Sequence, residues 1–255
     1  MNDLNNQYNK LAISFEILSA SSSSNLVGKV VNSKLIGLES KKSLINRDKT
    51  HQFYSFPKYY DLAFNRDVDN DIQFFIKCFK EYSDIDVQKI LEPACGTGIF
   101  LENFPEYGYK ILGYDLSEEM VEYSIERLNK LGINQELAST IVGNMKDLEF
   151  KSDFDAAIIC INSLGYLTQE DDIISHFKVM GKSIKEGGIY IIELSCKCED
   201  LASEKKPDDT WQVKNDGIEI KMSWIIDRYD IRNRIRHINF QMNVNDNGKN
   251  LVLEE

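Results

Sequence analysis

The stretch LEPACGTGIF, at residues 91–100, places an acid, a proline and a turn of small residues ahead of an apolar run. Small side chains at Ala94, Gly96 and Gly98 allow the backbone to approach a ligand closely. A helix expected over residues 96–104 would begin at this turn and offer its free N–H groups to the same ligand. These residue types at this spacing predict a turn that binds a nucleotide-like cofactor.

Three cofactors compete for such a turn. The P-loop pattern G-x-x-x-x-G-K-[ST], which cradles phosphates, occurs nowhere in the sequence. The dinucleotide pattern G-x-G-x-x-G fits Gly96 and Gly98, but its third glycine falls on Leu101, which does not easily permit the same close helix packing. S-adenosylmethionine carries no phosphate and needs only room beside the turn and acceptors for its amino and ribose groups. S-adenosylmethionine is therefore the third candidate for this turn.

Residues 92–98, E-P-A-C-G-T-G, resemble the first motif of the class I S-adenosylmethionine-dependent methyltransferases, E/D-x-G-x-G-x-G, with Ala94 in place of its first glycine. The resemblance continues in the family's order through Asp115, G-N-M at 143–145, the apolar run at 154–162 and K-E-G-G at 185–188. It is closest to the small-molecule methyltransferases of the family. It implies an enzyme that consumes S-adenosylmethionine and leaves S-adenosylhomocysteine.

The resemblance also implies which residues contact the ribose and the methionine moiety. Asp115, at a strand end, would accept both ribose hydroxyls, and the alternative is an acid that caps the helix after it. Glu92 would act on the amino group through the backbone turn or a water, and the alternative is a structural acceptor for the turn. The predicted turn contacts are Glu92, Ala94, Cys95, Gly96 and Gly98.

The adenine side of the implied site comes from two further segments. Leu116 and Met120 would flank the ring, although Met120 equally suits the core. Asn144 would face the adenine edge, unless it is a plain turn residue, and Met145 would pack on the ring.

Two neighbouring tyrosines precede the first strand of the pattern. Tyr59 and Tyr60 lie in K-Y-Y-D-L-A-F, which is similar to an aromatic and acidic stretch that closes over the cofactor in small-molecule members. One of them would do so here, and the other would belong to the core.

The methyl acceptor should face residues 160–166, C-I-N-S-L-G-Y. Cys160 and Ile161 would line the cofactor, while Asn162 and Tyr166 would orient the acceptor, unless Tyr166 simply packs at a helix start. The segment does not match the pattern Asn/Asp-Pro-Pro-Tyr. It is similar to the corresponding segment of enzymes that methylate glycine, sarcosine and nucleotide-linked aminosugars. Methyl transfer from a sulfonium depends on alignment more than on a catalytic base. His176 is expected on a helix surface and is not proposed as a base.

The elements that position these residues alternate regularly between strand and helix. Apolar strands separated by amphipathic helices predict an α/β fold, a Rossmann-like doubly wound and mostly parallel sheet with helices on both faces. Strands are expected at 89–93, 109–115, 137–144, 154–162 and 189–194. Helices are expected within 53–82, divided near 65–71, and at 96–104, 117–132 and 170–184, with a turn at 185–188.

The remaining sequence suggests three regions. Residues 1–50, rich in Asn, Ser and Lys, predict a partly ordered extension, and residues 51–200 form the cofactor-binding core. Residues 201–255 alternate in polarity and predict an antiparallel β meander, which would serve as a cap over the acceptor or as an oligomer interface such as a homodimer contact. The family core has further strands after the fifth, so either the chain is truncated or the meander supplies them; truncation would leave an open sheet edge.

The composition limits the kinds of partner that the protein is expected to bind. With 30 Lys and Arg against 41 Asp and Glu, the net charge is −11, so binding to nucleic-acid phosphates is not expected. No apolar run reaches the about 20 residues of a spanning helix, and no secretory signal is recognised, so we expect a cytoplasmic protein without membrane contact. The five cysteines suit reduced thiols, and the pair Cys196 and Cys198 lacks the further ligands of a metal site.

Transfer of a methyl group to nitrogen or oxygen of a small molecule is the function that the sequence favours. Two alternatives remain. One keeps the fold and methylates protein or RNA, for which the basic cluster at 231–237 would be the mark. The other is a non-catalytic domain that retains the fold for binding.

Overall fold

The computed structural model describes residues 14–19, 53–194, 208–230, 232–233 and 235–255. These residues form one six-stranded sheet and one separate four-stranded sheet. The first sheet consists of β1 (Ser14–Ser19), β2 (Lys89–Pro93), β3 (Lys110–Asp115), β4 (Ala138–Val142), β5 (Phe154–Ile159) and β6 (Ile184–Leu194). The helices are α1 (Pro57–Phe64), α2 (Asp69–Tyr82), α3 (Ile99–Asn103), α4 (Glu118–Lys130) and α5 (Glu170–Ser183), with 3-10 helices at Phe53–Ser55, Phe104–Tyr107 and Ser163–Tyr166.

The first sheet has the order β1-β6-β5-β2-β3-β4, and the strands from β2 to β6 are parallel. The chain runs outward from β2 to β3 and β4, and then returns to β5 on the other side of β2. Strand order therefore reverses between β2 and β5, and the carboxyl ends of these two strands form the crevice where such sheets bind ligands. Every residue of β5 is buried, as expected for a central strand covered on both faces. The predicted fold class is confirmed.

Local sequence signals set the ends of the helices. The Oγ of Ser117 accepts a hydrogen bond from the backbone N–H of Met120 at 3.2 Å and so caps α4, as predicted. Acidic residues occupy the first turn of α4 and of α5, where they stabilise the positive end of the helix dipole.

The strand β6 begins earlier than the sequence indicated. Residues 185–188, predicted as a turn, are part of β6, and the pairing with β5 shifts register between Phe154 and Ala156. A Cβ at Gly188 would overlap the backbone oxygen of Asp155, so only glycine permits this approach of the two strands. The irregularity lets β6 start at Ile184, directly after α5.

The edge beside β6 is paired rather than open. Residues Ser14–Ser19, within the segment predicted as a partly ordered extension, lie antiparallel to β6, with Ser14 opposite Leu194. The other residues of that extension, and Cys196 and Cys198, fall outside the described ranges.

The second sheet is the predicted meander, with the strands β7 (Asp208–Asn215), β8 (Ile218–Asp230), β9 (Ile235–Asp246) and β10 (Lys249–Glu254). All neighbouring pairs are antiparallel. It forms a sheet of its own, so the expectation that it could supply the last strands of the first sheet is wrong. Its inner face packs on α1 and the preceding 3-10 helix, where Ile220, Met222 and Met242 meet Phe53 and Ala63.

The opposite face of the second sheet is largely polar. One cross-strand row carries Gln212, Lys221, Asn243 and Val252.

Among the residues described, no helix is both long and apolar enough to cross a membrane.

Candidate cofactor site

The cofactor turn, residues 92–98, joins the end of β2 to the start of α3 at the switch point of the sheet. Its backbone is left-handed at Ala94 (φ 55°), Gly96 (φ 54°) and Gly98 (φ 82°). A Cβ at Gly98 would overlap Oγ of Ser124, so α4 packs directly on the turn. Ala94 adopts the same backbone region with a side chain, at a cost of about 1 kcal/mol. The turn is therefore a compact loop that keeps its backbone close to the crevice.

Asp115, at the end of β3, holds this turn from the neighbouring strand. Its Oδ2 accepts the N–H of Gly96 at 2.9 Å, and its Oδ1 accepts the N–H of Ser117 at 3.0 Å. Burial raises the pKa of Asp115, although these amide bonds act in the opposite direction. Each carboxylate oxygen has a second lone pair, so both can still accept a hydroxyl from a ligand.

Glu92 supplies the observation that tests whether a cofactor fits. The residue is 3% exposed, and its Oε2 is buried without a hydrogen-bond partner among the residues described. Burial, and then the charge of Asp115, raise the pKa of this carboxyl well above its usual range. The amino group of S-adenosylmethionine carries the positive charge and the donors that this oxygen lacks, so the residues present fit this cofactor.

The four residues predicted on the adenine side lie in different environments. Leu116 is 58% exposed beside the crevice, whereas Met120 has no exposed surface and belongs to the core. Asn144 accepts the N–H of Lys146 on its Oδ1 at 3.0 Å, which is the geometry of a turn residue. Met145 packs against the core on the side of β2 and β5.

His176 is completely buried, so its expected place on the surface of a helix is wrong. Its Nδ1 lies 2.8 Å from the carbonyl oxygen of Met145 and its Nε2 2.7 Å from the hydroxyl of Tyr190. Since a carbonyl only accepts, Nδ1 carries the proton and Nε2 accepts from Tyr190. Burial lowers the pKa of His176. The spacing of the buried positions on α5, at His176, Val179, Met180 and Ser183, was the signal that could have found it.

The two tyrosines of α1 point to different neighbours. Cε1 of Tyr60 lies 4.0 Å from where a Cβ of Gly96 would be, so its ring stands over the cofactor turn. The hydroxyl of Tyr59 instead donates to Oδ2 of Asp246 on the second sheet, at 3.0 Å. Of the pair, Tyr60 is the residue that the structure brings to the turn.

The predicted acceptor segment follows β5 with a strained backbone. Ile161 (φ 52°) and Asn162 (φ 61°) are consecutive left-handed residues, which is unusual for a β-branched side chain. Oε2 of Glu193, on β6, accepts the N–H of Ile161 at 3.2 Å. Cys160 is a buried free thiol, as are Cys95 and Cys78. Cys95 directs its side chain to Oγ1 of Thr140, at 3.4 Å, so only its backbone is left to face a cofactor.

Tyr54 is a site residue that the sequence did not reveal. Its hydroxyl forms a hydrogen bond with the hydroxyl of Tyr166, which is half exposed. Its ring centroid lies 5.7 Å from that of Tyr60, and its carbonyl oxygen accepts from Oγ of Ser117 at 3.3 Å. Burial raises the pKa of Tyr166 to about 12, with a further contribution from Glu255. Tyr60, Tyr54 and Tyr166 are thus in contact one after the other, from the cofactor turn to the acceptor segment.

Comparison with known proteins finds a methyltransferase domain within this arrangement. The methyltransferase domain family matches residues 90–188, which run from β2 to Gly188 in β6. A putative methyltransferase of Bacillus subtilis, YqeM, is 31% identical over 134 residues, 51% of each chain. A dTDP-4-amino-2,3,4,6-tetradeoxy-D-glucose N,N-dimethyltransferase of Saccharopolyspora spinosa is 29% identical over 108 residues, 42% of this chain and 41% of that protein.

Solved structures extend the likeness beyond the matched domain. DesVI of Streptomyces venezuelae superimposes with a TM-score of 0.63 at 21% identity, over 79% of this chain and 80% of that one. The chain spans about half the length of the curated relatives it matches. Residues 90–188 therefore form a methyltransferase domain, and the fold around that domain is the Rossmann-like fold of S-adenosylmethionine-dependent methyltransferases.

Proposed function

We propose that this protein transfers a methyl group from S-adenosylmethionine to nitrogen of a small-molecule amine. The observation that carries the cofactor is the buried, unpartnered Oε2 of Glu92 next to Asp115 and the cofactor turn. The similarity to an aminosugar N,N-dimethyltransferase supports nitrogen as the acceptor atom.

The side chains at the predicted acceptor position also suit an amine. The rings of Tyr54, Tyr60 and Tyr166 offer π faces that attract a cation. Glu193 lies at the same end of the sheet and adds negative charge, and the net charge of −11 attracts cationic molecules over longer range. An alcohol acceptor would gain little from these charges, so the nitrogen acceptor is the better match.

Some residues of the site would hold the cofactor, and others would align the acceptor. When bound, S-adenosylmethionine would supply a methyl group on a positively charged sulfur. An amine that has released its proton to solvent would attack this methyl group in line with its lone pair, and S-adenosylhomocysteine would leave. Glu92 would hold the amino group through the backbone turn or a water, and Asp115 would hold the ribose hydroxyls. Leu116, Asn144 and Met145 would contact the adenine. Tyr54 and Tyr166 keep their protons at neutral pH, because the ordinary pKa of a tyrosine is about 10 and burial raises the pKa of both hydroxyls further. They therefore orient an acceptor by hydrogen bonding and do not serve as bases.

Asn162 would help to align the acceptor from the end of the left-handed pair after β5. His176 does not act as a base, because both ring nitrogens are engaged and the residue has no exposed surface. The second sheet would cover the acceptor, since its inner face is packed on α1 and its outer row is mostly polar. The division into a core at 51–200 and an antiparallel meander at 201–255 is part of the same proposal.

Two measurements test the function. Calorimetry with S-adenosylhomocysteine should show binding by the intact protein and strongly reduced binding by Glu92→Gln. Mass spectrometry should then detect methylation within a panel that pairs amines, including nucleotide-linked aminosugars, with alcohols of the same skeleton. Absence of binding would remove the cofactor assignment, and methylation of the alcohols alone would remove the amine assignment.

A further inference from the structure

The helix α1 lies between the second sheet and the cofactor-binding sheet, and different groups attach it to each. Toward the second sheet, the indole N–H of Trp211 donates to the carbonyl oxygen of Ala63 at 3.0 Å, and Tyr59 bonds to Asp246. These contacts, with the apolar packing around Ala63, make α1 and the second sheet one unit. We call this unit, residues 53–64 with the described residues of 208–255, the cap.

One carboxylate fixes the cap to the cofactor-binding sheet. Oδ1 of Asp61 accepts from Oγ1 of Thr97 at 3.2 Å and forms an ion pair with the guanidinium of Arg127. Oδ2 of Asp61 accepts from the hydroxyl of Tyr123 at 3.0 Å. A single side chain of α1 thus reaches the cofactor turn, through Thr97, and two positions on α4.

The ion pair is well enclosed and supported. The side chains of Asp61 and Arg127 are each 13% exposed, so solvent screens their attraction only weakly. The remaining donors of Arg127 bond to both carboxylate oxygens of Glu102 on α3, with Nη2 at 2.7 Å from Oε1. A fork of this kind has little freedom to reorient, so the position of Asp61 is set by α3 and α4 together.

The place of Asp61 in the sequence gives this contact a consequence for the cofactor. Asp61 follows Tyr60, whose ring stands over Gly96, and Thr97 follows Gly96 in the turn. The hydrogen bond between Asp61 and Thr97 therefore lies next to the place where the ring of Tyr60 stands over Gly96. The turn and α1 are thus joined directly through these two residues.

We propose, resting on the function proposed above, that Asp61 is a positioning residue that couples the cap to the cofactor turn. It holds Tyr60 over the turn through Thr97 and Arg127, and it does not touch the reacting atoms. Ordering of the turn by bound cofactor then also orders α1, and with it the tyrosines that face the acceptor. The acceptor side is completed only when the cofactor side is filled.

Amide hydrogen exchange together with calorimetry tests the coupling, with S-adenosylhomocysteine as the probe. In the intact wild-type protein the probe should slow exchange both in residues 94–98 and in residues 58–64. Asp61→Asn should keep slowed exchange in 94–98, lose it in 58–64, and bind the probe about tenfold more weakly, as expected for loss of one buried charged contact.

Three further variants separate coupling from general damage. Thr97→Val keeps the shape of the side chain but removes the hydroxyl, and it should uncouple α1 as Asp61→Asn does, even if the latter folds poorly. Thr97→Ser restores the hydroxyl and should behave as wild type. Asp246→Asn is the matched control. Like Asp61, Asp246 is a carboxylate that accepts a tyrosine hydroxyl, here that of Tyr59, but it has no contact with the turn. This variant should leave the coupling intact.

The outcomes distinguish the two proposals. If the wild type binds the probe and both Asp61→Asn and Thr97→Val keep its affinity and the slowed exchange of α1, the coupling is overturned and the proposed function stands. If the wild type does not bind the probe at all, the proposed function fails, and the coupling to cofactor fails with it.

Discussion

The backbone N–H of Gly96 donates to Oδ2 of Asp115 at 2.9 Å, so the acid predicted to hold the ribose also holds the turn that faces it. One side chain holds the turn and, in the proposed function, would also hold the cofactor. The two roles would share a carboxylate but use different lone pairs.

Asp115→Asn should weaken both roles at once. The amide keeps one acceptor oxygen, so either the Gly96 or the Ser117 bond is lost together with the charge. We expect the free energy of unfolding to fall by about 1–2 kcal/mol and the affinity for S-adenosylhomocysteine by about ten- to a hundredfold. Urea unfolding and calorimetry measure the two quantities. A variant that loses stability but keeps full affinity would show that Asp115 is only a support for the turn.

Glu92→Gln should have effects of opposite sign on stability and on binding. The pKa of Glu92 is raised by burial, so its contribution to folding is most favourable below the unfolded value and declines as pH rises through the folded value. The neutral amide removes this decline. The variant should therefore be the more stable protein at neutral pH, by about 1–2 kcal/mol, while binding the cofactor product more weakly. Thermal unfolding at several pH values measures the first effect, and a variant that declines with pH as the wild type does would contradict it.

Asp155 should show the opposite pH dependence. Burial alone would raise the pKa of this carboxyl, but Lys185 and the N–H groups of Gln88 and Lys89 outweigh burial and lower it. Its stabilisation is thus complete above the unfolded value of about 3.9 and is lost as pH falls through the lower folded value.

Asp155→Asn should consequently cost about 1–2 kcal/mol at neutral pH, because the Lys185 ammonium is partly exposed and screened. The difference from wild type should shrink in acid below pH about 4. Urea unfolding at neutral and acid pH checks this, and a constant difference would refute the assignment.

Two buried serines form a matched pair for stability. The Oγ of Ser124 is buried without a partner among the residues described, whereas Oγ of Ser183 donates to the carbonyl oxygen of Val179 and accepts the N–H of Phe150. Ser124→Ala should stabilise the protein by about 1 kcal/mol, and Ser183→Ala should destabilise it by a similar amount. Equal effects of the two changes in urea unfolding would mean that the hydroxyl of Ser124 has a partner in solution.

Tyr54→Phe and Tyr166→Phe should each lower kcat/KM for the acceptor by about three- to tenfold, because each removes the same hydroxyl contact. The double variant should be little worse than either single one, which gives a coupling energy of about 1 kcal/mol. Initial rates with the acceptor found in the amine panel provide the measurement. Additive losses would show that the two hydroxyls act independently.

The regular elements and the cofactor turn could be predicted because their signals are local. The alternation of apolar strands with capped helices, as at Ser117, depends on residues a few positions apart. The turn at 92–98 and Asp115 follow from the same kind of pattern, since the end of one strand and the end of the next must lie side by side.

The parts that the sequence did not reveal depend on contacts between distant residues. Tyr54 meets Tyr166 across 112 positions of the chain, and Asp61 meets Tyr123 across 62. No periodicity encodes such pairs. The surface position expected for His176 is wrong for a different reason: the spacing of buried positions on α5 and the hydroxyl of Tyr190 favour a place in the core.

The cap is assembled from two segments that are far apart along the chain, since Tyr59 and Asp246 are separated by 187 positions. Closing so long a loop is entropically slow, so the cap should form after the sheet between them has folded. The same topology lets the cap detach while the sheet stays intact, which is the behaviour of a separate unit of local unfolding. The cap should therefore be the part of the described structure that proteases cut first.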